Sequence, residues 1–512
     1  MRYDAKKGVI SIDAGTTGTR AALVMSDGSI EQQSYFPLEV QNPTPGVVEQ
    51  DFAEIWNRTR DAVQDVLAHA KQKDITVVSL AIATQRSTSG LWDRETGQPL
   101  CPAMVWQDSR YADELSKLGE TWNATLLERI GRTAGIRSPY YWAAQHIEKT
   151  PEVAEAFKQN KLMFGTVDTW LLWNITGGKV HGVSTTNAVA AGAYDAERSE
   201  YLLGWIEALG FPLEILPRVV PDAGDISASD KSVIGDQIPI RALIGDQHAA
   251  LVGLGCLEPG DSSCIHGTGT FVDQIVGGFE NVRSDRPEAV VRHVGWEDSK
   301  GLTQSVECFT ATTGSALNWV CDQLEWFEDA QEISRMTEGK QPWDPAVPIF
   351  LPTLTGVRLP RVEPDIRGAL GQLSLATTRT HLAQSLLQGI AQCVAMSVEA
   401  NTMSTGEVPT SIRVGGGLSQ SDSLLQMQAD LTGIPMLRFS AADKTSLRGA
   451  AFLAGVGTLW SDLKEAVTTL GKPQIFSPQI DTEERRFWAQ RWRSFLMAET
   501  NQHKYRQEED GI

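Results

Sequence analysis

The chain has 512 residues, of which 64 are acidic and 45 are basic, so its formal charge is −19 at neutral pH. This length suits two or three domains rather than one, and 41% hydrophobic with 21% charged residues excludes a disordered chain. The acidic balance argues against nucleic acid or an anionic membrane as the main partner, because either would repel the chain.

The first hundred residues predict strands and turns, followed by a helix and a further strand. Apolar runs bounded by Gly, Thr, Ser and Asp indicate the strands, and a 3.6-residue period indicates the helix. The predicted elements are strands at 8–13, 20–25 and 30–36, turns at 14–19 and 26–29, a helix at 52–69 and a strand at 77–83. A β-meander followed by alternating helix and strand is typical of an α/β fold.

The opening pattern recurs about half the chain later. A short strand at 262–266 is followed by a second Gly/Thr turn at 267–270 and a strand at 271–276. A strand at 411–414, helices at 379–402 and 421–433, and a charged surface helix from Glu483 complete the prediction. The recurrence predicts an internally duplicated α/β protein with a cleft between its two halves.

Nothing in the sequence indicates export or membrane insertion. Six scattered cysteines form no CxxC pair, which argues against a disulfide framework or a zinc site. The start, MRYDAKKGVISIDAG, contains no continuous apolar segment. Residues 381–398 are uncharged apart from His381, but Gln384, Gln388 and Gln392 share one stripe, which predicts an amphipathic helix rather than a membrane span. We therefore expect a cytoplasmic protein.

The usual nucleotide-binding motifs are missing, so phosphates would have to be held in another way. No Gly-Lys pair precedes Ser or Thr, and no GxGxxG follows a strand. The segment from Asp13 to Arg20 offers glycines for close approach, threonine hydroxyls as donors, a carboxylate for magnesium and a guanidinium for a terminal phosphate. The alternative interpretation is an ordinary polar hairpin with an acid beside it.

The second half contains two further glycine-rich turns. Gly267 to Thr270 has the same chemistry as the first turn, with weaker specificity. Gly415 to Gly417 follows a predicted strand, where a triple glycine would accept a flat adenine ring or would simply end the strand.

Polar residues after apolar strands indicate a catalytic pocket. Asp246 follows an apolar strand, where its carboxylate would take a proton from a substrate hydroxyl; the alternative is the N-cap of a short helix. Arg86 also follows a buried strand, and Trp106 lies about twenty residues on. An arginine, an indole and a carboxylate suit a polyhydroxy ligand, although Trp106 is equally consistent with ordinary core.

Together these segments resemble the FGGY family of carbohydrate kinases over nearly the whole chain. The matching pieces, in the family's order, are Ile12-Asp13-x-Gly15-Thr16-Thr17, Gln85-Arg86, Trp92-Asp93-x-Glu95-Thr96-Gly97, Trp106-Gln107-Asp108-Ser109-Arg110, Phe164 to Leu171, Gly245-Asp246-Gln247, Gly267-Thr268-Gly269, Arg367-Gly368-Ala369 and Gly416-Gly417. Within this family the glycerol kinases are the most similar group.

The resemblance implies a duplicated actin-like ATPase (ribonuclease H-like) fold in class α/β, with two domains flanking a catalytic cleft. We expect an N-terminal domain at 1–254 with the polyol pocket and phosphate turn, a C-terminal nucleotide-binding domain at 255–480, and a charged C-terminal helix at 481–512. It also implies ATP and Mg²⁺ as cofactors, a small polyol or sugar as substrate, and a homodimer or homotetramer.

Position by position, the resemblance implies three groups of site residues. Asp246 is the expected general base, and Asp13 is expected to hold magnesium through water. The expected substrate-binding residues are Arg86, Ser87, Trp106, Tyr140, Asp246, Gln247 and Phe271. The expected nucleotide-binding residues are Thr16, Thr17, Gly18, Arg20, Thr268, Gly314, Asn318, Leu418 and Asp422.

One departure bears on the substrate. Glycerol kinases carry a glutamate where this chain has Ser87, so one anionic acceptor is lost and space is gained. The expected activity is ATP-dependent phosphorylation of a primary hydroxyl of glycerol, or alternatively of a four- or five-carbon polyol or ketose. Two other classes stay open, a non-catalytic regulator that binds sugar or nucleotide, and a glycoside hydrolase suggested by the many acids and 15 tryptophans.

Overall fold

A computed structural model describes residues 6–510, without the side chains of 504–510. Predictions made for residues 1–5 and 511–512 lie outside these described residues. The chain divides into two compact units that are discontinuous in sequence. The first comprises residues 6–255, 292–304 and 445–469, and the second comprises residues 256–291, 305–444 and 470–510.

The first 255 residues hold the following strands and helices. The strands are β1 (Lys7–Ala14), β2 (Gly18–Met25), β3 (Ile30–Pro37), β4 (Glu49–Gln50), β5 (Thr76–Thr84), β6 (Ser89–Asp93), β7 (Ala103–Met104), β8 (Leu162–Thr166), β9 (Gly182–Ser184), β10 (Tyr194–Asp195), β11 (Glu200–Tyr201), β12 (Arg218–Val220), β13 (Ala223–Ala228) and β14 (Pro239–Gly245). The helices are α1 (Phe52–Gln72), α2 (Ala112–Ile130), α3 (Pro139–Lys149), α4 (Pro151–Lys158), α5 (Val167–Ile175), α6 (Thr185–Ala190), α7 (Leu203–Ala208), α8 (Lys231–Ile234) and α9 (Asp246–Gly253).

The rest of the chain continues the same alternation. The strands are β15 (Ser262–His266), β16 (Thr270–Val276), β17 (Val291–Asp298), β18 (Gly301–Thr310), β19 (Ile349–Leu351), β20 (Ala369–Gly371), β21 (Ile412–Gly416), β22 (Met436–Arg438) and β23 (Gln474–Phe476). The helices are α10 (Gly314–Asp322), α11 (Ala330–Thr337), α12 (Arg379–Thr405), α13 (Asp422–Thr432), α14 (Thr445–Gly455), α15 (Leu463–Thr468) and α16 (Thr482–Asp510).

The first unit is built on a mixed sheet in the order β13-β14-β5-β1-β2-β3. β1 and β2 form an antiparallel hairpin, β3 pairs antiparallel with β2, and β1 and β14 both pair in parallel with β5. The predicted meander, the helix at 52–69 and the strand at 77–83 are confirmed to within three residues at each end. One hydrophobic core cluster of this unit is formed by the apolar faces of these strands and of α1 and α5.

The second unit repeats the same central motif. β15 and β16 form an antiparallel hairpin, and β15 pairs in parallel with β21, as β1 does with β2 and β5. β22 and β23 extend the sheet beyond β21, and β18, whose residues 305–310 belong to this unit, extends it beyond β16. The predicted duplication and α/β fold class are therefore confirmed.

The helix α12 differs from its predicted amphipathic character. Its glutamine stripe is buried, and the side-chain amides of Gln384 and Gln392 donate hydrogen bonds to the carbonyls of Gln341 (2.7 Å) and Trp488 (3.2 Å). These backbone acceptors replace water, so the stripe faces protein. α16 is likewise not purely a surface helix, because Trp488, Trp492 and Leu496 on it are buried. Within residues 6–510 no helix is sufficiently long and apolar to cross a bilayer.

Helix α9, which begins at Asp246, is held by very close packing against α14 within the first unit. A Cβ atom on Gly449 would lie 1.7 Å from the Ala249 carbonyl oxygen, and one on Gly253 would lie 2.0 Å from the Thr445 carbonyl oxygen. Two helices approach this closely only where both lack side chains. The first residue of α9 is thus fixed at the end of β14.

Candidate active site

The carboxyl ends of three neighbouring strands in the first unit carry predicted site residues. In the paired register, Ala83 of β5 lies opposite both Asp13 of β1 and Ile244 of β14. Arg86 follows β5, and Asp246 follows β14. Because neighbouring strands are spaced by about 4.8 Å, β1 and β14 lie about 10 Å apart across β5. In open α/β sheets, ligands bind at this edge.

An aspartate and an arginine flank the glycine-containing turn between β1 and β2. The Gly15 N–H donates to the Gly18 carbonyl at 3.0 Å and closes the turn. Asp13 and Arg20 are register partners, and their side chains form an ion pair with Nε and Oδ2 3.5 Å apart. Burial raises the pKa of Asp13, and the Arg20 charge opposes that rise. The pair suits a site where phosphate and a hydrated cation meet.

Tyr35 of β3 lies over this turn. A Cβ atom on Gly18 would lie 2.4 Å from the Tyr35 ring and hydroxyl, so the ring occupies the space that a side chain would need. The Tyr35 hydroxyl donates to the Thr17 carbonyl at 3.4 Å. The Arg20 guanidinium lies 5.7 Å from the centre of the ring, within cation–π range. Tyr35 therefore contacts the turn at three points.

Arg86 is oriented by two buried histidines. Its Nη1 lies 3.2 Å from Nε2 of His248 and 3.1 Å from Nε2 of His293. Because arginine only donates, the His248 Nε2 accepts, whereas the acceptor nitrogen of His293 is Nδ1, which takes the Val294 N–H at 3.1 Å. Burial and the Arg86 charge hold the pKa of both histidines well below the usual range, so both are neutral. A Cβ on Gly245 would lie 2.9 Å from His248 and 3.0 Å from Arg86, which explains the glycine.

Ser87 and Trp106 differ in burial and in their hydrogen-bond partners. Ser87 is buried at a positive φ of 64°, and its hydroxyl donates to the Ala190 carbonyl at 2.9 Å. Trp106 is half-buried rather than core, and its indole N–H donates to the Thr16 hydroxyl at 2.9 Å. The Arg137 guanidinium lies 5.9 Å from the Trp106 ring centre. The indole is thus joined directly to the turn between β1 and β2.

Tyr140 lies in an aromatic cluster of the first unit. It is buried, and its ring centre lies 5.6 Å from that of Phe164 and 5.3 Å from that of Phe211. Burial raises the pKa of its hydroxyl, which stays protonated at neutral pH. The contacts that place Tyr140 are these ring contacts, and its role in a polyol pocket stays a prediction.

Asp246 and Gln247 are partly exposed at the start of α9. The Asp246 Oδ1 accepts the Gln247 N–H at 2.8 Å, so the acid stands at the first helical turn rather than at the N-cap, which is Gly245. The Gln247 Oε1 is buried, and within residues 6–510 it has no hydrogen-bond partner. A buried acceptor without a donor costs free energy, and a ligand hydroxyl would satisfy it.

The second unit places two predicted nucleotide residues, Thr268 and Gly314, at its own glycine turn. The Gly267 N–H donates to the Gly269 carbonyl at 2.8 Å, and the Thr268 carbonyl accepts the Ser315 N–H at 3.0 Å. A Cβ on Gly314 would lie 2.3 Å from the Gly267 carbonyl oxygen. The turn therefore packs tightly on the first residues of α10.

The third glycine turn lies beside β15. Gly416 has a φ of 84°, and a Cβ there would lie 2.1 Å from the His266 carbonyl oxygen, so only glycine fits. Leu418 lies in the short 3-10 helix Gly417–Gln420. Asp422 begins α13 and forms an ion pair with Arg438 at 2.6 Å.

The remaining two predicted residues of the second unit are further along their elements. Asn318 is exposed on α10, one turn after Gly314. Phe271 is buried on β16, and its ring stacks on Phe309 with centres 5.2 Å apart. Their assigned roles stay predictions.

Sequence reasoning missed several residues that the structure brings to the site. Tyr35, Gln50 and His293 each contact a predicted residue or its turn. Each is a single side chain outside any motif, so no spacing indicated it. His248, by contrast, directly follows the predicted residues Asp246 and Gln247 in the sequence.

Comparison with known proteins gives the class. The model of the N-terminal domain of the FGGY family of carbohydrate kinases matches residues 8–253, and the model of its C-terminal domain matches residues 263–458. The glycerol kinases of Acaryochloris marina and Thermus brockianus are both 32% identical, over 93% and 95% of this chain and 95% and 97% of theirs.

Solved structures agree on the fold. A crystal structure of Plasmodium falciparum glycerol kinase with ADP is similar at a TM-score of 0.86 and 23% identity, over 96% of this chain and 98% of that one. A xylulose kinase from Rhodospirillum rubrum is similar at a TM-score of 0.79 and 21% identity, over 97% and 99% of the two chains. The duplicated actin-like ATPase fold is thereby confirmed.

The chain belongs to the FGGY family of carbohydrate kinases. It is a phosphotransferase of a family that uses ATP and an alcohol acceptor, so the glycoside hydrolase interpretation is wrong.

Proposed function

We propose that the protein transfers the γ-phosphoryl group of ATP to a primary hydroxyl of a small polyol, with glycerol as the first candidate acceptor. The observation that carries this proposal is the placement of Asp246 at the end of β14, about 10 Å across β5 from the Asp13–Arg20 turn. That spacing leaves room for an acceptor hydroxyl and a phosphoryl group in line. The relatives named above, which are glycerol kinases, support glycerol.

Three side chains of the first unit have defined roles in the proposed reaction. Asp246 removes the proton of the attacking hydroxyl. Gln247 Oε1 accepts a hydrogen bond from a second hydroxyl of the polyol. Arg86, fixed by His248 and His293, donates to acceptor oxygens. In the second unit, the nucleotide is assigned to Thr268, Gly314, Asn318, Leu418 and Asp422 around its two glycine turns.

The residues present fit magnesium bound through water. Within residues 6–510 no cluster of three or more His, Cys, Asp or Glu side chains would enclose a metal ion. Magnesium keeps most of its water and needs only one or two carboxylates besides phosphate oxygens, and the partly exposed Asp13 provides one. When bound, the ion offsets negative charge on the phosphates. Thr16, Thr17, Gly18 and Arg20 would hold those phosphates.

The experiment that tests the function measures ADP formation from ATP and magnesium with glycerol, erythritol, threitol, the common pentitols and several ketoses. Turnover with glycerol and with no larger acceptor would support a glycerol kinase. Turnover only with a longer acceptor would support the alternative, a kinase for a four- or five-carbon polyol or ketose. Proven nucleotide binding without turnover of any acceptor would show that neither glycerol nor the longer acceptors of this panel are the substrate.

Replacing Ser87 by glutamate is expected to shift preference towards glycerol. The longer side chain adds a carboxylate that accepts hydrogen bonds from hydroxyls, as in glycerol kinases, while burial of its charge and the loss of the hydrogen bond to Ala190 lower stability. The measurement is kcat/KM for glycerol relative to erythritol. Ser87→Ala, which removes the same hydrogen bond without adding a carboxylate, is the control. An unchanged order of preference in Ser87→Glu would show that this position does not set acceptor length.

Replacing Gly18 by alanine is expected to lower kcat/KM for ATP by no more than about 10-fold, because the added Cβ meets the ring end of the half-exposed Tyr35 side chain, which can rotate away from the turn. Steady-state kinetics with varied ATP would measure the loss. If the clash is the cause, Gly18→Ala/Tyr35→Ala should perform no worse than Tyr35→Ala alone. If the losses of kcat/KM in the two single variants simply add in the double variant, the clash is not the cause.

All six cysteines are free thiols, which supports the expectation of a cytoplasmic, reducing environment.

A further inference from the structure

Two buried glutamines of the first unit lie between the phosphate turn and Trp106. Gln50 ends β4 and Gln85 directly follows β5, with exposures of 2% and 1%. A buried amide costs free energy unless its donors and acceptor are all paired. The partners of these two amides therefore indicate what they hold in place.

Gln85 is fully paired, and its partners come from both sides. Its Oε1 accepts the hydroxyls of Thr16 at 3.1 Å and Thr88 at 2.9 Å. Its Nε2 donates to Gln50 Oε1 at 2.9 Å and to the Gly15 carbonyl at 3.4 Å. Two lone pairs and two N–H groups are used, so the amide has one favoured orientation.

The same hydrogen bonds continue to Trp106. Gln50 Nε2 donates to the Thr16 carbonyl at 2.7 Å, so the two glutamines hold Thr16 from its backbone and its side chain. The Trp106 indole N–H donates to the Thr16 hydroxyl at 2.9 Å, and the Trp106 backbone N–H donates to the Thr88 hydroxyl at 3.1 Å. Trp106 is therefore joined to Gln85 through two separate hydroxyls.

We propose that Gln50 and Gln85 are positioning residues that couple acceptor binding on Trp106 to phosphate binding on the turn at 15–18. This inference rests on the proposed function, which puts the acceptor on Trp106 and the phosphates on the turn. Since the Thr16 hydroxyl is shared, a ligand that fixes the indole also fixes the turn, and hydrogen bonds in such a chain strengthen one another. Coupling between two sites is reciprocal, so each ligand tightens the other.

The test compares Gln50→Leu with a matched control, Gln392→Leu. Gln392 is a buried glutamine of the second unit whose amide donates to a backbone carbonyl, that of Trp488, at 3.2 Å. Calorimetry measures the Kd of glycerol with and without adenylyl imidodiphosphate and magnesium, and then the reverse titration. Glycerol is replaced by the acceptor with the highest kcat/KM if the panel above identifies another.

In the unaltered protein, we expect the acceptor Kd measured without the analogue to be at least about 5 times the Kd measured with it. We call this quotient the Kd ratio. In Gln50→Leu this ratio should fall by at least about half, because the Thr16 carbonyl and Gln85 lose their partner while the direct bond from Trp106 to the Thr16 hydroxyl stays. In Gln392→Leu it should stay at the unaltered value. Trp106→Phe, which keeps a ring but loses the indole N–H, should also lower the Kd ratio. It serves as the second variant if Gln50→Leu does not fold.

Three results would overturn the inference. The first is an unaltered Kd ratio in both Gln50→Leu and Trp106→Phe. The second is a Kd ratio that falls as far in Gln392→Leu as in Gln50→Leu. The third is a Kd ratio of 1 in an unaltered protein that phosphorylates the acceptor. In the last case the proposed function would stand. A protein that neither binds the analogue nor phosphorylates any acceptor would overturn both.

Discussion

Replacing Asp246 by asparagine is expected to lower kcat by about 10²- to 10⁴-fold, the usual contribution of a general base. Asparagine keeps an oxygen that can accept the Gln247 N–H, now 2.8 Å from Oδ1, so the start of α9 should be unchanged. Only the ability to take the hydroxyl proton is lost. Steady-state kinetics at saturating ATP and acceptor would measure the loss.

The control is the same substitution at an exposed aspartate. Asp225, whose side chain is 89% exposed in the first unit, can become asparagine with little expected effect on kcat. Nucleotide affinity in Asp246→Asn should stay within a few-fold of the unaltered value, as measured by calorimetry. Near-normal turnover in Asp246→Asn would remove Asp246 as the base and leave the kinase assignment without its proton acceptor.

Replacing Gly449 by alanine is expected to destabilise the protein by about 3 kcal/mol, the upper end of the usual cost of overpacking. The new Cβ would lie 1.7 Å from the Ala249 carbonyl oxygen and 2.5 Å from the Gly253 nitrogen, which are backbone atoms that cannot rotate away. α9 must move as a whole, and Asp246 moves with it. We expect a lower thermal midpoint together with a lower kcat.

Gly204→Ala provides the matched control for Gly449→Ala. Gly204 is also a helical glycine of the first unit, but its added Cβ would lie 3.3 Å from the Trp122 ring and meet no backbone atom. Its thermal midpoint should change little. Equal midpoints for the two variants would contradict the close packing of α9 on α14.

The local part of the fold was predictable because its signals are local. The strands β1, β2 and β3 alternate or run apolar between turn residues, and those patterns reach only a few positions along the chain. The stripe of glutamines on α12 was also correctly found as a stripe. Periodicity, however, says which side chains share a face and not what covers that face, and here the cover is protein.

In the candidate site, too, residues marked by a local pattern were predictable and residues that depend on distant contacts were not. Asp13, Arg86 and Asp246 were predictable because each stands directly after an apolar run, at the edge where parallel strands end. Tyr35 and Gln50 were not, because their roles depend on pairing between segments distant in the chain. A tyrosine on a half-exposed strand and a lone glutamine have no sequence signal until the fold brings them to the turn.

The return of residues 445–469 to the first unit has a consequence for how the protein is made. During translation the ribosome releases the strands around Asp246 long before it synthesises α14, the helix that clamps α9. Until then the first unit exposes apolar surface that α14 later covers, which is where a chaperone would be needed. A truncated gene ending near residue 254 should therefore yield an insoluble product. Co-expression of a separate polypeptide that contains α14 should restore its solubility.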